Sequence, residues 1–311
     1  MKYLFGPVPS RRLGYSLGID ILPAKTCNMN CIYCELGKGE KVYQNAPSFP
    51  PYKEIIKEIT DYCAKSEDHF DCLTFTASGE PTLHKDIEKL ITEAKKLTSK
   101  KVAVLTNSST TPDPHIRKAL GQADLVLPSL DAARQKTFQK INRPHPSLKI
   151  KDIIEGLIGL RREMAGQMWL EILFVQDIND TQQELLALKN AIEAIKPHRI
   201  QLNTIARPPA EEWARPISSR KMKEIQRFFG KKAEVVIDFK AHMNRPDGII
   251  LESEIVDTLK RRPLSLKDFE GLFGQYHRAE KILNTLLRKG IVQEKRIADR
   301  TFFTVQTRNN F

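Results

Sequence analysis

The chain has 311 residues and a formal net charge of +12, with 41% hydrophobic and 28% charged residues. That length predicts one large domain of about 200–250 residues plus a small one, and the charge favours anionic partners: nucleic acid, phosphorylated metabolites or an acidic protein. No apolar run approaches the ~20 residues of a membrane span. The start, MKYLFGPVPSRRLG, has no signal-peptide core, because two prolines and Arg11-Arg12 interrupt it; a cytoplasmic protein is expected.

In chain order, strand-like runs alternate with amphipathic stretches. YSLGIDIL (15–22) reads as a first strand, and 51–66 as a helix with Ile55, Ile56, Ile59 and Tyr62 at helical spacing. Strands follow at 72–78, 101–107, 123–130, 169–175, 199–205 and 233–239. Helical patterns fill 85–98, 113–120, 132–140, 148–164, 180–195 and 218–229. Short apolar strands repeated with helices predict a parallel sheet covered by helices. Six or seven such units suit a partial (β/α)6 TIM-like barrel; a doubly wound open sheet is the alternative.

The pattern changes at the turn-rich joint 244–248, which divides an expected core domain, 1–245, from a small one, 246–311. The second part reads as three helices and a β-hairpin around an Asp-Arg turn, the pattern of a winged helix-turn-helix. Ser265 and Asp268 resemble a capping box, and Gly274 and Gly290 sit where helices stop. This part holds 12 Lys and Arg against 9 Asp and Glu, so the basic surplus is not concentrated there. His277, Arg278 and Lys281 on the presumed recognition helix, and Lys295, Arg296 and Arg300 on the wing, are the residues expected to face phosphates.

Three of the five cysteines fall in CNMNCIYC: Cys27, Cys31 and Cys34, spaced C-x3-C-x2-C. The odd number and uneven spacing do not suit a disulfide framework. Thiolates bind soft metals and iron–sulfur clusters. A closed structural zinc site wants four ligands. Cys63 and Cys72 fall in a predicted helix and strand, where buried free thiols are ordinary. Three thiolates on a [4Fe–4S] cube leave one iron without a protein ligand, an open position of the kind catalytic sites keep. Zinc or a plain electron-transfer cluster is the alternative. The motif follows the C-terminal end of the first predicted strand, the face that carries barrel active sites.

With Tyr33 directly before Cys34, the motif resembles that of the radical S-adenosylmethionine (SAM) enzymes. The resemblance implies a [4Fe–4S] cluster whose fourth iron chelates SAM, and reductive cleavage of SAM to a 5′-deoxyadenosyl radical that abstracts hydrogen from substrate. SGEPTLH (78–84) resembles the family's Gly-Glu-Pro element. The backbone of this Ser78–Pro81 element and Glu80 would then receive the SAM ammonium, with Gly79 permitting close backbone approach and Pro81 rigidifying the turn. Asn107, Ser129 and Asp131, after the next two strands, are placed for the methionine carboxylate or ribose; Ser129 and Asp131 read equally as helix caps. Val175 would touch the adenine. Arg143, Gln201, Asn203 and Arg207 are the polar substrate candidates. Arg11 and Arg12 would hold an anion or anchor the N-terminus.

The opening segment, with QLNTIARPPAEEW (201–213), is similar to Fe–S oxidoreductases related to the tRNA wyosine-synthesis enzymes. Members of that group largely lack an assigned substrate, so the resemblance implies the chemistry and not the product; tRNA, bound through the C-terminal part, is the candidate substrate, and a reductant such as ferredoxin or flavodoxin is the expected partner. Wyosine enzymes carry further N-terminal cysteines; this chain has none before Cys27. The competing function is an Fe–S-sensing, DNA-binding regulator without SAM chemistry, which would not need Tyr33, Gly79-Glu80-Pro81 or the βα framework.

Overall fold

A computed structural model of the chain describes residues 1–76, 78–236, 252–261, 263–273, 276–297 and 300–305. Its first element is a hairpin of β1 (Leu4–Ser10) and β2 (Gly14–Asp20). Then α1 (Tyr52–Ser66), β3 (Cys72–Thr76), α2 (Ile87–Leu97), β4 (Lys101–Thr106), α3 (Pro114–Gly121) and β5 (Leu125–Pro128) alternate. Two helices, α4 (Gln135–Ile141) and α5 (Ile150–Glu163), precede β6 (Gln167–Phe174). The core ends with α6 (Gln182–Ile195), β7 (Arg199–Thr204), α7 (Ser219–Phe229) and β8 (Ala233–Val235).

The eight strands form one sheet in chain order, β1 to β8. β1 pairs antiparallel with β2, and every later pairing is parallel. A doubly wound sheet reverses its strand order at a switch point. Here the order never reverses, so the six βα crossovers curve the sheet into a partial barrel.

Strand side chains alternate between two faces. Leu17 and Ile19, Leu73 and Phe75, Val102 and Val104, Leu170 and Ile172, and Ile200 and Leu202 pack outward with Ile55, Ile59, Leu90, Leu157 and Leu188 of the helices. The inner face carries Ser16, Gly18 and Asp20, Thr74 and Thr76, Leu105, Glu171 and Leu173, and Asn203. Barrel interiors are commonly filled by layers of bulky branched residues. Here many inner residues are small or polar, and a lumen remains open. Cys72 packs with Ala103, Leu125 and Leu127 on this inner face, beside Leu13 of the hairpin turn.

β1 was not expected from sequence, because Pro7 and Pro9 read as breakers. It lies at the sheet edge, where prolines are tolerated, and its register with β2 shifts between Phe5 and Val8.

After the core come α8 (Glu252–Arg261), β9 (Leu264–Ser265), α9 (Leu266–Phe273), α10 (Tyr276–Arg288), β10 (Val292–Ile297) and β11 (Arg300–Val305). The expected three helices and hairpin are present, and β9 adds a strand on β11. Ser265 and Asp268 cap reciprocally: the Ser265 N–H donates to Asp268 Oδ2 at 2.9 Å and the Asp268 N–H to Ser265 Oγ at 3.2 Å. Gly290 follows α10 at φ +65°. Its core, Ile255, Leu259, Leu264, Phe269, Leu283, Leu286 and Phe303, includes Val8 of β1, so this unit is packed on the barrel's first strand. The joint at 244–248, residues 237–239 of the expected last core strand, Gly274, Asp299 and the side chains of His277 and Arg278 lie outside the described residues. No described helix is long and apolar enough to cross a membrane.

Gly156 of α5 shows how tightly the helices seat. A Cβ there would lie 2.5 Å from the Thr111 carbonyl carbon. In an exposed helix Gly→Ala gains about 1 kcal/mol. The backbone contact reverses the sign: overpacking costs about 1–3 kcal/mol, so Gly156→Ala is expected to lower the thermal midpoint in a melting experiment.

Candidate active site

Residues 21–51, which link β2 to α1 and carry the three cysteines, contain no helix and no ladder strand. Backbone groups in such a segment need partners from elsewhere. The Asn30 and Ile32 N–H groups donate to the Asn142 and Ile141 carbonyls at 3.0 Å each, and the Glu211 N–H donates to the Ile32 carbonyl at 2.9 Å. The Tyr43 N–H reaches the Cys27 carbonyl at 2.9 Å. The Asn28 side chain accepts from Asn107 Nδ2 at 3.0 Å and from Ser109 Oγ at 2.9 Å. The cysteine segment is thus cast against the loops after β4, α4 and β7.

Each of the three motif sulfurs faces a side-chain nitrogen donor, each from a different part of the chain. Asn107 Nδ2 is 3.4 Å from Cys27 Sγ, Asn142 Nδ2 is 3.4 Å from Cys31 Sγ, and Lys25 Nζ is 3.6 Å from Cys34 Sγ. Burial pushes the Cys27 thiol up to about 12, with Glu80's charge adding to it. Burial, then Cys27, holds Cys31 well above the ordinary thiol range. Among the described residues no three His, Cys, Asp or Glu side chains come together as a group that could hold a single metal ion. The three thiols, each with its own amide or ammonium donor, suit ligands spread over separate irons of a cluster, whose sulfurs commonly accept such bonds.

Tyr33, the aromatic before Cys34, donates its hydroxyl to Asp131 Oδ2. Asp131 also accepts from Asn142 Nδ2 at 2.8 Å and from the Leu173 N–H at 2.9 Å. Asn179, fully buried, donates to the Asp131 carbonyl at 2.8 Å and accepts from the Val175 N–H at 2.8 Å. Burial raises the Asp131 carboxyl, and its three donors oppose that rise. Asn142 is the residue sequence reasoning missed. It touches Cys31, Tyr33 and Asp131 at once, and its only sequence signal was its place directly before Arg143.

The SGEP turn differs from expectation in one respect. Glu80 is 1% exposed, and both of its oxygens are engaged within the protein. Oε1 accepts from Thr82 N at 3.1 Å, Thr82 Oγ1 at 2.6 Å and Thr106 Oγ1 at 2.7 Å; Oε2 accepts from the Asn107 N–H at 2.5 Å. Its carboxylate ties the ends of β3 and β4 together and is not presented to the lumen. Gly79 is required by protein backbone: a Cβ there would lie 1.9 Å from the Thr26 carbonyl oxygen, one residue before Cys27. The Glu80 N–H donates to that same carbonyl at 2.9 Å. Pro81 is buried at the start of a short 3-10 turn.

A cavity of about 960 Å³ occupies the lumen. Cys31, Tyr33, Cys34, Ser78 and Gly79 line it at the C-terminal ends of the strands, with Asn203 of β7 and Arg207 beyond that strand. The expected Cys27, Glu80, Pro81, Asn107, Ser129, Asp131 and Val175 are not among the residues that line it. Ser129 is bound through its carbonyl to Ser108 Oγ at 2.7 Å, and Val175 is fully buried. Arg143 is ion-paired with Glu211, and Gln201 donates to Glu234 Oε2 at 3.0 Å, so neither is among the lining residues. Arg11 and Arg12, in the hairpin turn, enter the lumen, where Arg12 pairs with Glu171 and Arg11 donates to Asn203 Oδ1 at 3.1 Å. Arg300, expected on the wing, lines the same cavity, as do Arg261, Ser265 and Lys267; Lys281, Lys295 and Arg296 are exposed. Cys63 and Cys72 are buried thiols on α1 and β3, away from the motif.

Residues 21–189 match the family model described as "Radical SAM superfamily". The chain belongs to the radical SAM superfamily. It is an enzyme of the radical SAM class, whose cofactors are a [4Fe–4S] cluster and SAM. A UPF0026 protein of Helicobacter pylori is 32% identical over 306 residues, 97% of each chain, so this radical SAM protein also belongs to that group. A protein of Brachyspira hyodysenteriae named GTPase Obg is 37% identical over 298 residues. That match covers 94% of this chain but spans only 44% of the relative's length. In fold, the Streptococcus suis protein SuiB, solved with S-adenosylmethionine bound, superposes with a TM-score of 0.53 at 13% identity, over 69% of this chain and 49% of that one.

Gly79→Ala is expected to force the turn off Thr26 and to destabilise the protein by about 1–3 kcal/mol. Hydrogen exchange at the Glu80 N–H should accelerate in parallel with the fall in thermal midpoint. Unchanged exchange there would show that the turn does not depend on this contact.

Proposed function

We propose that this enzyme holds a [4Fe–4S] cluster on Cys27, Cys31 and Cys34 and reductively cleaves SAM beside the Ser78–Gly79 turn. The carrying observation is the placement of Cys31, Cys34, Ser78 and Gly79 on one lumen, with a nitrogen donor on each of the three motif sulfurs. When bound, the cluster and SAM supply an electron and a 5′-deoxyadenosyl radical that abstracts hydrogen from substrate. The protein's own part is binding, orientation and exclusion of water. Asn107, Asn142 and Lys25 orient the sulfurs, and the Tyr33–Asp131–Asn142 network fixes the segment between Cys31 and Cys34. Ser78, whose carbonyl accepts from the Lys25 N–H at 2.5 Å, offers backbone and hydroxyl oxygens near the cluster segment. Arg12 and Leu13 enter the lumen from the hairpin turn, and the C-terminal unit covers part of its wall.

The substrate we assign first for testing is tRNA, supported by the +12 charge and by the order of elements in the C-terminal unit, which reads as a winged helix. A low-potential ferredoxin or flavodoxin in a reducing cytoplasm is the reductant this reading calls for. The deciding experiment is anaerobic reconstitution followed by dithionite and SAM, with 5′-deoxyadenosine measured by chromatography. Formation that disappears in Cys31→Ala supports the assignment; formation retained in that variant sinks it. Stimulation by unfractionated tRNA then tests the substrate.

The thiol shifts make a pH prediction. Cys27 and Cys31 are raised, so both are protonated at neutral pH until metal displaces the protons. Metal uptake should therefore strengthen with rising pH, on the order of tenfold per pH unit for each proton released. Iron uptake compared under argon at pH 6.5 and 8.5 reads this directly; equal uptake would mean that the thiols are already ionised.

A further inference from the structure

The end of α8 reaches into the barrel. The Arg261 guanidinium donates from Nε to Asp20 Oδ2 at 3.3 Å, from Nη2 to the Lys2 carbonyl at 3.0 Å and from Nη1 to the Asp257 carbonyl at 3.4 Å. It also lies 5.5 Å from the centre of the Phe5 ring, whose atoms cover the backbone of Gly18. Asp20 is the last residue of β2, and its side chain is 10% exposed. Its other partner is Ser78: Oδ1 accepts the Ser78 N–H at 2.9 Å and Oδ2 the Ser78 hydroxyl at 2.7 Å. One carboxylate therefore joins the C-terminal unit to the turn that opens SGEP.

A second arginine secures the same corner on the cysteine side. Arg207 donates from Nε to the Pro263 carbonyl at 3.1 Å and from Nη1 to Glu35 Oε2 at 3.1 Å, one residue past Cys34. The C-terminal unit is thus fastened at both ends of the α8–β9 connection, once toward Ser78 and once toward Cys34.

We infer that Arg261 is a positioning residue for SAM binding, acting through Asp20 on the Ser78–Gly79–Glu80 turn. The inference rests on the reading of that turn as part of the SAM site. The physical reason is the sheltered carboxylate. With Arg261 in place, Asp20 is a paired anion that can hold Ser78 by two bonds. Without Arg261 it is an under-compensated charge, which relaxes by drawing in water at the expense of the Ser78 bonds. Gly79 has one close seat, against Thr26, so a displaced Ser78 moves the turn as a whole. Seating of the C-terminal unit and the shape of the SAM site are therefore coupled, and coupling is reciprocal: SAM must also tighten the unit.

The test measures SAM dissociation constants by equilibrium dialysis on the reconstituted full chain, with iron content determined for every sample. Arg261→Gln is expected to keep its iron and bind SAM on the order of tenfold more weakly. Arg261→Lys, which keeps the charge beside Asp20, should recover part of that loss. Asp20→Asn should weaken binding similarly, and the Asp20→Asn/Arg261→Gln pair should be no weaker than the worse single variant. Equal SAM affinity in wild type and Arg261→Gln overturns the inference while leaving the SAM site standing. Absence of SAM binding by the iron-loaded wild type overturns the proposed function itself. If Arg261→Gln does not fold, hydrogen exchange on the wild type decides: SAM should slow exchange in the last turn of α8, around Asp257–Arg261, and no slowing at saturating SAM refutes the coupling.

Discussion

The structure depends on keeping one irregular segment in a single shape. Residues 21–51 carry the three cysteines without a ladder of their own, so local turns and residues far away in sequence share the pairing of their backbone groups. Asn142, Ile141 and Glu211 supply backbone partners, and Asn107 and Ser109 hold the Asn28 side chain. Those residues sit after β4, at the end of α4 and after β7. The barrel is the means of bringing these loop groups to one end, around thiols that their own segment could not orient.

The strand ends are fastened to one another in the same manner, side chain to backbone. Asp20 at the end of β2 holds the Ser78 N–H, Glu80 after β3 holds the Asn107 N–H, Ser108 after β4 holds the Ser129 carbonyl, and Asp131 after β5 holds the Leu173 N–H of β6. Thr204 continues the series to the Phe174 carbonyl at 2.8 Å. Burial raises the carboxyls of Glu80 and Asp131, an electrostatic cost that several donors on each oppose. This arrangement explains why Glu80 and Asp131 stand behind the lining of the lumen. The Glu80 and Asp131 carboxylates, engaged by several donors each, could not turn their oxygens to the lumen without releasing the strand ends they hold.

The lumen is open for a related reason. Ser16, Gly18, Thr74, Thr76 and Asn203 occupy inner positions where larger aliphatic side chains would fill the space. The C-terminal unit then acts on the barrel as well as beside it. It shares a core with Val8, and Arg261, Lys267 and Arg300 reach the same cavity as Cys31 and Cys34. Whatever this enzyme modifies must meet a chamber built by both parts of the chain.

Much of this was legible in the residues. The βα alternation, the C-x3-C-x2-C motif with Tyr33, the SGEP turn and the three C-terminal helices are local patterns, because strand and helix periods and ligand spacing are written over a few consecutive positions. β1 was not legible, since its prolines are tolerated only because the strand is an edge. Asn142 was not, since nothing local distinguishes it from a helix-end asparagine. Nor was the division between residues that line the chamber, such as Ser78, Asn203 and Arg207, and those that brace it, such as Glu80, Asn107 and Asp131. The sequence by itself determined the element types, the thiol set and the radical SAM resemblance. Which polar side chains face the lumen, and the Arg261–Asp20–Ser78 link across 241 positions between its first two members, were decided only by the tertiary structure. Such contacts depend on how strand ends converge, and that convergence is a property of the closed packing that no short stretch contains.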